Sequence, residues 1–599
     1  MKILGLGSPF KHDPSAALVV DGVTIAAAEE ERFNRRKHAV GDIPVNAARY
    51  CLEAGSVGID EIDAIAFPWS PRSYRRDLLP YLKRTWRSRP SRAFKAVAAR
   101  AHEVRWRSQH IARVVKAVGG SRVPPVEWVD HHQAHAASCY YLTGWDRAAI
   151  LTVDGSGEFA STFFAEGRDG DIHPIDRVIS PDSLGFFYST VTEYVGFDRH
   201  DGEFKTMGMS GYGDPSAVDI SELLTWNSEG PTRFRINDEN VWCLRSKRFN
   251  KAWMFGPRLV EMWGPPRDGD GLSEPYIHVA AAAQKALEDI ALGFLSTTLK
   301  PALERADGRL CLAGGCALNV RMNRKLLEHP LVKEIWVQPA AHDAGTPLGA
   351  ALEVAKRAGD PIPPMEHAYL GPEYDDGEIR TALERFGIPN RAYPADGSIG
   401  GPSGGIVERV AELLAAGEVV AWFQGRMEFG PRALGNRSIL GNPFAPGTAD
   451  RINGEIKFRE KWRPFCPSIA EHEAPEILDT DHPSPYMTFS FIVNPKWREK
   501  IPEAVHVDGS ARPQIVTEKL NPRFHSLIQA FARRTGVPVV INTSLNRRGE
   551  PMVCSPEDAL RTFFGSGLRF LALGDRLVAK DSRLLDEAND QNEVRSVIS

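Results

Sequence analysis

Residues 148–166 read AAILTVDGSGEFASTFFAE, and this stretch decides the fold. Apolar and β-branched residues at 148–153 and 161–166 predict two strands, because such side chains favour a pleated, half-buried surface. The DGSG turn between them supplies the reversal. Residues 2–28, KILGLGSPFKHDPSAALVVDGVTIAAA, follow the same plan, with strands predicted at 2–7, 16–20 and 23–28 and a tight turn at Asp21-Gly22. The sequence therefore predicts a duplicated β-meander.

This duplication resembles the two-lobed ASKHA fold of sugar kinases and actin, a duplicated RNase-H-like architecture. Further along, strands alternate with glycine-rich loops and helices, as in RLCLAGGCALN at residues 309–319. Such loops place backbone N–H groups where a phosphate or ribose can bind. The predicted fold class is α/β.

The length of 599 residues is too great for one hydrophobic core and implies at least two domains. Proline and glycine become dense over residues 356–372, and new strands are predicted at 419–423 and 537–541. We expect one domain at residues 1–365 and a second at 366–599.

Composition excludes several classes of protein. Hydrophobic residues make up 42% and charged residues 25%, which excludes a mainly disordered chain. Seven cysteines without a Cys-x-x-Cys pair favour neither a disulfide framework nor a cysteine zinc site. The apolar run at the N-terminus is broken at residues 11–13, and no stretch is long enough to span a membrane. We expect a cytoplasmic protein with no membrane partner.

Charge is concentrated in residues 71–113, which contain thirteen Lys and Arg but only Asp77 and Glu103 as acids. This segment carries +11, so with an overall charge of −4 the remainder carries −15. It could bind nucleic acid or another anion, but apolar residues at roughly helical spacing favour a solvated helical insertion. Its place between the first meander and the histidine motif puts it at the rim of the predicted N-terminal cleft, which predicts a role at the entrance to that cleft or in a homodimer contact, and makes nucleic acid the less favoured partner.

The motif VEWVDHHQAHAAS contains three histidines within five residues. His131 and His135 are four residues apart, so on a helix they share a face and can bind one metal ion, although such pairs are often structural. His132 points elsewhere. Asp154 and Asp343, each at a strand end or loop, would complete a mixed nitrogen and oxygen site for Fe(II), Mn(II) or Zn(II). Their alternative roles are a turn residue and a helix cap.

Two further groups of residues carry candidate chemistry. His12 follows the first strand and could act as a general base, while Lys37 could contact phosphate. In the C-terminal half, arginines recur in Gly- and Pro-bounded loops, which favours an anion site over inter-domain salt bridges. These cations are Arg426, Arg432, Arg437, Lys457, Arg459, Arg463 and Arg512. Asn542 to Ser544 could add neutral hydrogen-bonding groups.

Ten motifs in order closely resemble the O-carbamoyltransferase family, which includes nodulation-factor, cephamycin and tobramycin carbamoyltransferases. They are HDPSAAL, EEERFNRRKH, HHQAHAAS, TVDGSGE, KTMGMSGYG, GGCALNV, HDAGTPLGAAL, GRMEFGPRALGNRSIL, WRPFCPSI and NTSLN, and they span residues 12–546. The resemblance implies an ASKHA transfer domain followed by an α/β domain like threonylcarbamoyl-adenylate synthase.

The resemblance also implies a two-step reaction. Carbamoyl phosphate and ATP, with Mg(II), give carbamoyl-adenylate in the C-terminal domain, and the N-terminal domain transfers the carbamoyl group to a small-molecule alcohol in natural-product or antibiotic biosynthesis.

The resemblance also assigns residues. Fe(II) would be held by His131, His135, Asp154 and Asp343, with His12 as base on the acceptor hydroxyl. The adenylate would contact Lys37, Asp154, Gly315 and Asn319. Carbamoyl phosphate and ATP would be bound by Arg432, Arg463, Arg512, Asn542 and Ser544. Two other functions fit parts of the sequence: an ASKHA kinase or ATPase, from the duplicated meander, and a tRNA carbamoylation factor, from the basic segment.

Overall fold

The computed structural model describes residues 1–7, 12–226, 234–241, 254–393, 404–478 and 480–585. Its contacts divide the chain into two compact units. The N-terminal unit comprises Met1–Asn34 and His38–Met365, and the C-terminal unit comprises Arg35–Lys37 and Glu366–Ser599. Lys37 thus belongs to the C-terminal unit by its contacts.

The first sheet of the N-terminal unit follows the meander expected at the start of the chain. Its strands are β1 (Lys2–Gly7), β2 (Ser15–Val20), β3 (Val23–Glu29), β4 (Ala64–Phe67) and β5 (Val126–Trp128). They lie in the order β3-β2-β1-β4-β5, antiparallel from β3 to β1 and parallel from β1 to β5.

A second sheet repeats this order. The strands that follow are β6 (Arg147–Val153), β7 (Ala160–Arg168), β8 (Asp171–Ile179), the separate pair β9 (Leu224–Trp226) and β10 (Phe234–Ile236), β11 (Arg309–Ala313) and β12 (Glu334–Val337). Read from β8, the sheet order is β8-β7-β6-β11-β12, with the same antiparallel and parallel pairings as the first sheet. The duplicated topology confirms the predicted ASKHA class for the N-terminal part.

Helices connect and cover these sheets. They are α1 (Glu31–Asn34), α2 (Val45–Ala54), α3 (Pro71–Thr85), α4 (Pro90–Ala117), α5 (His131–Tyr140), α6 (Leu184–Tyr194), α7 (Glu203–Met209), α8 (Pro257–Trp263), α9 (Tyr276–Ser296), α10 (Lys300–Arg305), α11 (Val320–Leu327) and α12 (Thr346–Ala358). Helices α5 and α12 follow the last strand of each sheet and pack on each other. A Cβ at Gly349 in α12 would lie 1.8 Å from the carbonyl oxygen of Ala134 in α5, so glycine permits this close approach.

The basic segment forms α3 and α4 between β4 and β5. Arg84 donates two hydrogen bonds to the carboxylate of Asp182, at 3.0 and 2.9 Å. The guanidinium of Arg107 is buried, with its carbon 4.1 Å from the centre of a Trp69 ring. Trp86 and Phe94 are instead exposed, at 59% and 68%. The segment therefore packs on the unit through some of its cations and presents aromatic rings to solvent.

The C-terminal unit contains an eight-stranded mixed sheet. Its strands are β13 (Asn390–Ala392), β14 (Val420–Phe423), β15 (Arg437–Gly441), β16 (Cys466–Ala470), β17 (Phe491–Ile492), β18 (Ser510–Ala511), β19 (Gln514–Val516), β20 (Val539–Ser544), β21 (Phe570–Leu573) and β22 (Arg576–Ala579). The sheet order is β13-β22-β21-β14-β15-β20-β16-β19, and β17 pairs separately with β18. The helices are α13 (Asp376–Arg385), α14 (Gly404–Ala415), α15 (Thr448–Arg451), α16 (Ala474–Ile477), α17 (Pro495–Arg498), α18 (Pro522–Thr535) and α19 (Pro556–Phe564). This mixed α/β unit agrees with the predicted fold class.

Among the helices of the described ranges, none combines the length and the apolar character that crossing a bilayer requires.

Candidate active site

Helix α5 presents two histidines on one face. Asp130 caps the helix, since its Oδ1 accepts a hydrogen bond of 3.1 Å from the backbone N–H of Gln133. His131 and His135 then lie one turn apart, and both side chains are fully buried. Their ring centres are 4.6 Å apart.

Two carboxylates face these histidines. Asp154 follows β6, and Asp343 begins a short 3₁₀ turn directly before α12. His131 Nε2 lies 3.2 Å from Asp154 Oδ2 and 3.5 Å from Asp343 Oδ1. The corresponding distances from His135 Nε2 are 3.5 and 3.8 Å. One potential ligand atom from each of the four residues lies within 4.8 Å of all the others. The structure thus brings together the four residues predicted as metal ligands.

The donor set fits a transition-metal ion. Metal bonds of about 2.0–2.2 Å place adjacent nitrogen and oxygen ligands roughly 3–3.5 Å apart, close to the separations observed here. His135 Nε2 is buried and makes no hydrogen bond to any residue in the described ranges, although it faces two carboxylates. Two imidazoles and two carboxylates suit Fe(II), Mn(II) or Zn(II).

Strong electrostatic coupling accompanies this geometry. Burial lowers the pKa of His135, but the carboxylates of Asp154 and Asp343 outweigh it and raise the pKa to about 9. Burial raises the pKa of Asp154, but His131 and His135 hold it well below its usual range. The two carboxylates therefore favour a positive charge at the point where the four side chains converge.

His132 connects α5 to the neighbouring strands and lies outside the four-residue cluster. His132 Nδ1 lies 2.6 Å from the Thr152 hydroxyl, and Nε2 lies 3.0 Å from the Ala160 carbonyl oxygen. Burial and the neighbouring His131 and His135 lower the pKa of His132 to about 4, so the ring is neutral near pH 7. The role outside the cluster that the sequence suggested for His132 agrees with these contacts.

His12 lies beside the four-residue cluster. Its Nδ1 is 3.0 Å from Asp13 Oδ2, and its Nε2 is 3.8 Å from Asp343 Oδ2. Its side chain is 23% exposed, whereas that of Asp343 is 6% exposed. Burial lowers the pKa of His12, but Asp13 and the charges of Asp343 and Asp154 raise it to about 9. His12 is therefore the more accessible group next to the cluster.

Sequence reasoning missed the partners of His12. Asp13 Oδ1 lies 2.8 Å from His38 Nδ1, so Asp13 links His12 to His38. The His12 ring also lies 4.7 Å, centre to centre, from the ring of His200. Asp13 and His38 stand inside the motifs HDPSAAL and EEERFNRRKH, whereas no motif includes His200.

The three further residues expected to contact the adenylate, Lys37, Gly315 and Asn319, differ from one another in their contacts. The backbone N–H of Gly315 donates to Asp154 Oδ1 at 3.1 Å. The Asn319 amide caps α11 and exchanges hydrogen bonds of 2.8 and 3.0 Å with Gln284. Lys37 belongs to the C-terminal unit, and its charge acts on Lys457 there. An adenylate role for Lys37, Gly315 and Asn319 stays a prediction.

A dense cationic cluster occupies the C-terminal unit. Burial and the charges of Arg512 and Arg463 lower the pKa of Arg432 to about 9. Arg512 donates to Cys466 Sγ from Nε and Nη2, at 3.1 and 2.8 Å. Arg463 lies 3.5 Å from Glu460. In the part of the chain that the structure describes, only burial and neighbouring charges, and no hydrogen bond, act on the Arg432 guanidinium. Such a concentration of like charge favours binding of an anion.

Polar groups of β20 lie with these cations. Lys457 Nζ, in a short π-helical segment, donates to Ser544 Oγ at 3.2 Å and Asn546 Oδ1 at 2.7 Å. Burial and the charges of Arg459 and Arg463 hold the pKa of Lys457 well below its usual range. Asn542 is buried, and its Oδ1 has no hydrogen-bond partner in the described ranges. A ligand N–H group would satisfy that oxygen.

Arg437 and Arg426 are structural, contrary to the expected anion-binding role. The fully buried Arg437 guanidinium donates to five backbone carbonyls and lies 3.7 Å from the centre of the Phe423 ring. The acceptors are Gln424, Gly425, Asn436, Pro372 and Cys554. Arg426 donates to the carbonyls of Leu370 and Gly371. Both arginines hold neighbouring loops in place by donating to their backbone carbonyls.

Known protein families match most of this chain. The family described as Carbamoyltransferase N-terminus matches residues 2–352, and that described as Carbamoyltransferase C-terminus matches residues 411–580. An uncharacterised protein of Synechocystis sp. is 36% identical, with 97% of each chain covered. Nodulation protein NolNO of Sinorhizobium fredii is 35% identical over 96% of this chain and 80% of its own. Nodulation protein NolO of Bradyrhizobium diazoefficiens is 37% identical, with 76% of this chain and 79% of its own covered.

Solved structures align more loosely. Component A of (R)-2-hydroxyglutaryl-CoA dehydratase from Acidaminococcus fermentans covers 60% of this chain and 99% of its own, at 10% identity and a TM-score of 0.29. HypF from T. kodakarensis also covers 60% of this chain, and 48% of its own, at 12% identity and a TM-score of 0.31. These alignments are too loose to support a functional comparison.

Proposed function

The chain belongs to the carbamoyltransferase family, and on this premise we propose that it is an ATP-dependent O-carbamoyltransferase acting on a natural-product alcohol. Carbamoyl phosphate and water would give phosphate and carbamate, and carbamate and ATP would give carbamoyl-adenylate and pyrophosphate. An acceptor alcohol would then displace AMP and form the carbamate ester. The observation that carries the proposal is the convergence of His131, His135, Asp154 and Asp343 beside the accessible His12.

We assign the first step to the C-terminal unit. The cations that would bind carbamoyl phosphate and the nucleotide phosphates are Arg432, Arg463 and Arg512. A guanidinium group suits this role because it can donate two parallel hydrogen bonds to one phosphate group. Asn542 Oδ1 would accept a hydrogen bond from the carbamoyl amino group, and Ser544 would hold a phosphate oxygen. ATP would enter with Mg(II).

We assign the transfer step to the N-terminal unit. His12 would accept the proton of the acceptor hydroxyl, and Asp13 would orient the imidazole through Nδ1. A bound Fe(II) ion would polarise the carbamoyl carbonyl and offset the charges of Asp154 and Asp343, which lowers the pKa of His12. An alcohol is a poor nucleophile, so both a base and a good leaving group are required.

Product analysis tests the proposed function. The purified chain, supplied with carbamoyl phosphate, ATP, Mg(II) and candidate alcohols, should release AMP and pyrophosphate and form a carbamoylated product detected by mass spectrometry. Release of ADP with a phosphorylated product would show a kinase instead. Carbamoylation of tRNA without a small-molecule product would show a tRNA-modifying enzyme.

Removing the metal should separate the two steps. Replacing His135 with alanine should lower metal affinity at least about 10- to 100-fold and reduce transfer accordingly, because one of four ligands is lost. Metal content measured by mass spectrometry should fall in parallel. Pyrophosphate release from ATP should persist when Mg(II) is supplied. A variant that retains its metal and its transfer rate would contradict the assignment of these ligands.

The exposed aromatic rings of the basic segment supply a test of its role. We propose that Trp86 and Phe94 contribute to acceptor entrance or to a homodimer contact. Replacing both with alanine should raise the KM for the acceptor or shift the molar mass measured by light scattering. Exposed Phe386, replaced in the same way, serves as the control. If neither quantity changes, the segment is only a solvated helical pair.

A further inference from the structure

Three buried polar side chains on neighbouring strands of the C-terminal sheet form one hydrogen-bonded group. They are Asn542 on β20, Ser468 on β16 and Gln514 on β19, and these strands lie side by side in the order β20-β16-β19. Ser468 Oγ donates to Gln514 Oε1 at 2.8 Å. Asn542 Nδ2 donates to Ser468 Oγ and to Gln514 Oε1, each at 3.0 Å. The nitrogen end of the Asn542 amide is therefore occupied by its two neighbours.

Backbone carbonyls determine which way round both amides lie. A carbonyl oxygen only accepts hydrogen bonds, and Gln514 Nε2 donates to that of Leu434 at 2.8 Å. Gln514 Oε1 must then face Asn542 and Ser468. Asn542 in turn must present Nδ2 to that oxygen, and Nδ2 also donates to the Ala433 carbonyl at 3.4 Å. A rotated Asn542 amide would place its oxygen against two acceptor oxygens, so hydrogen-bonding capacity alone fixes its orientation.

The other end of this amide, Asn542 Oδ1, lies among the predicted phosphate-binding groups. This oxygen is buried and has no hydrogen-bond partner among the residues that the structure describes. Ala433, which accepts from Nδ2, directly follows Arg432 in the chain. Cys466, the residue opposite Asn542 in the sheet, accepts two hydrogen bonds from Arg512. A buried oxygen in this position requires a donor from a ligand.

Building on the proposed function, we infer that Gln514, together with Ser468, is a positioning residue that makes the first step selective for a carbamoyl group. The carbamoyl amino group brings the N–H donor that Asn542 Oδ1 lacks. Acetyl phosphate has nearly the same shape and charge, but its methyl group leaves Oδ1 unpaired. Without Gln514 the Asn542 amide can rotate and present its nitrogen instead. Gln514 thus acts through Asn542 and itself contacts no substrate.

Acetyl phosphate is the probe that tests this inference. In an assay of pyrophosphate release with ATP and Mg(II), the KM for carbamoyl phosphate and the inhibition constant of acetyl phosphate are measured on one sample. Their ratio does not depend on the fraction of the protein that is folded. For the wild type we expect the inhibition constant to exceed the KM by about 10- to 100-fold, because the methyl group leaves a polar atom of the site unpaired.

Gln514→Leu should lower this ratio about 10-fold, because a rotated Asn542 amide donates to the carbonyl oxygen that both ligands share. A double-mutant cycle shows whether the effect passes through Asn542. Asn542→Leu should lose the preference, and adding Gln514→Leu to it should change the ratio no further. An unchanged ratio in Gln514→Leu would overturn the inference, as would a further loss in the double variant.

Ser468→Ala supplies a milder test that does not depend on the folding of Gln514→Leu. It removes one of the two side-chain acceptors of Asn542 Nδ2, so the ratio should fall by a smaller factor. A wild-type ratio in Ser468→Ala would also contradict the inference. Gln529→Leu, on α18 in the same unit, is the matched control, because Gln529 contacts His472 and should leave the ratio unchanged.

Two results with the wild type separate this inference from the proposed function. Equal constants for the two phosphates would overturn the selectivity and leave the proposed function in place. Absence of carbamoyl-phosphate-dependent pyrophosphate release would instead overturn the proposed function itself.

Discussion

Replacing His12 with asparagine is expected to abolish carbamoyl transfer while carbamoyl-adenylate still forms. Asparagine keeps the approximate size and can still hydrogen-bond Asp13, but it cannot accept the hydroxyl proton. Loss of a general base typically costs about 10²- to 10⁴-fold in rate. The carbamoylated product is measured by mass spectrometry, and the first step by carbamoyl-phosphate-dependent exchange of pyrophosphate into ATP.

A matched substitution of another histidine of the N-terminal unit controls for nonspecific damage. His173→Asn, on β8, should leave both steps at the wild-type rate. If His12→Asn lost adenylate formation and transfer equally, the division of labour between the two units would be wrong.

Replacing Arg432 with methionine should abolish adenylate formation without destabilising the protein. Its guanidinium is surrounded by Arg512 and Arg463, whose charges, with burial, lower its pKa. Removing one of three like charges relieves repulsion, so the melting temperature should stay the same or rise. Pyrophosphate exchange and a thermal melt measure the two effects on one sample.

Arg437 is the natural contrast, because it lies in the same motif as Arg432 but donates to five backbone carbonyls. Arg437→Met should cost about 3 kcal/mol or more, since buried acceptors lose their donor. That corresponds to a fall of roughly 6–12 °C in the melting temperature of a unit this size. If Arg432→Met lowered the melting temperature as much as Arg437→Met, Arg432 would stabilise the fold and would not be an anion-binding residue.

Local pattern predicted much of the fold. Strands β1 and β11 begin and end where the sequence placed them, because each apolar run ends at a glycine or directly before one. The duplicated order of the two sheets followed from the repeated meander. The strand expected at 537–541 instead begins at Val539, since Pro538 lacks the N–H that a ladder needs.

The sequence predicted only part of the candidate active site. Helical spacing indicated that His131 and His135 share a face, but no local pattern brings Asp343 to them across two hundred residues. Arg432 and Arg437 lie in similar glycine-rich stretches of sequence. Only long-range packing shows that Arg432 lies near other arginines, whereas Arg437 donates to backbone carbonyls. No local pattern indicated that His200 lies against His12, because a turn held by Glu203 sets that position.

The duplicated architecture has a thermodynamic consequence. Both histidines of the four-residue cluster come from the helix that closes the first repeat, and both carboxylates come from the second repeat. Neither repeat therefore contains a complete ligand set. An ion bound by all four side chains would act as a reversible cross-link, and its binding energy would be added to the docking of the two repeats. Metal affinity in this unit would thus report how firmly two halves of one fold stay joined.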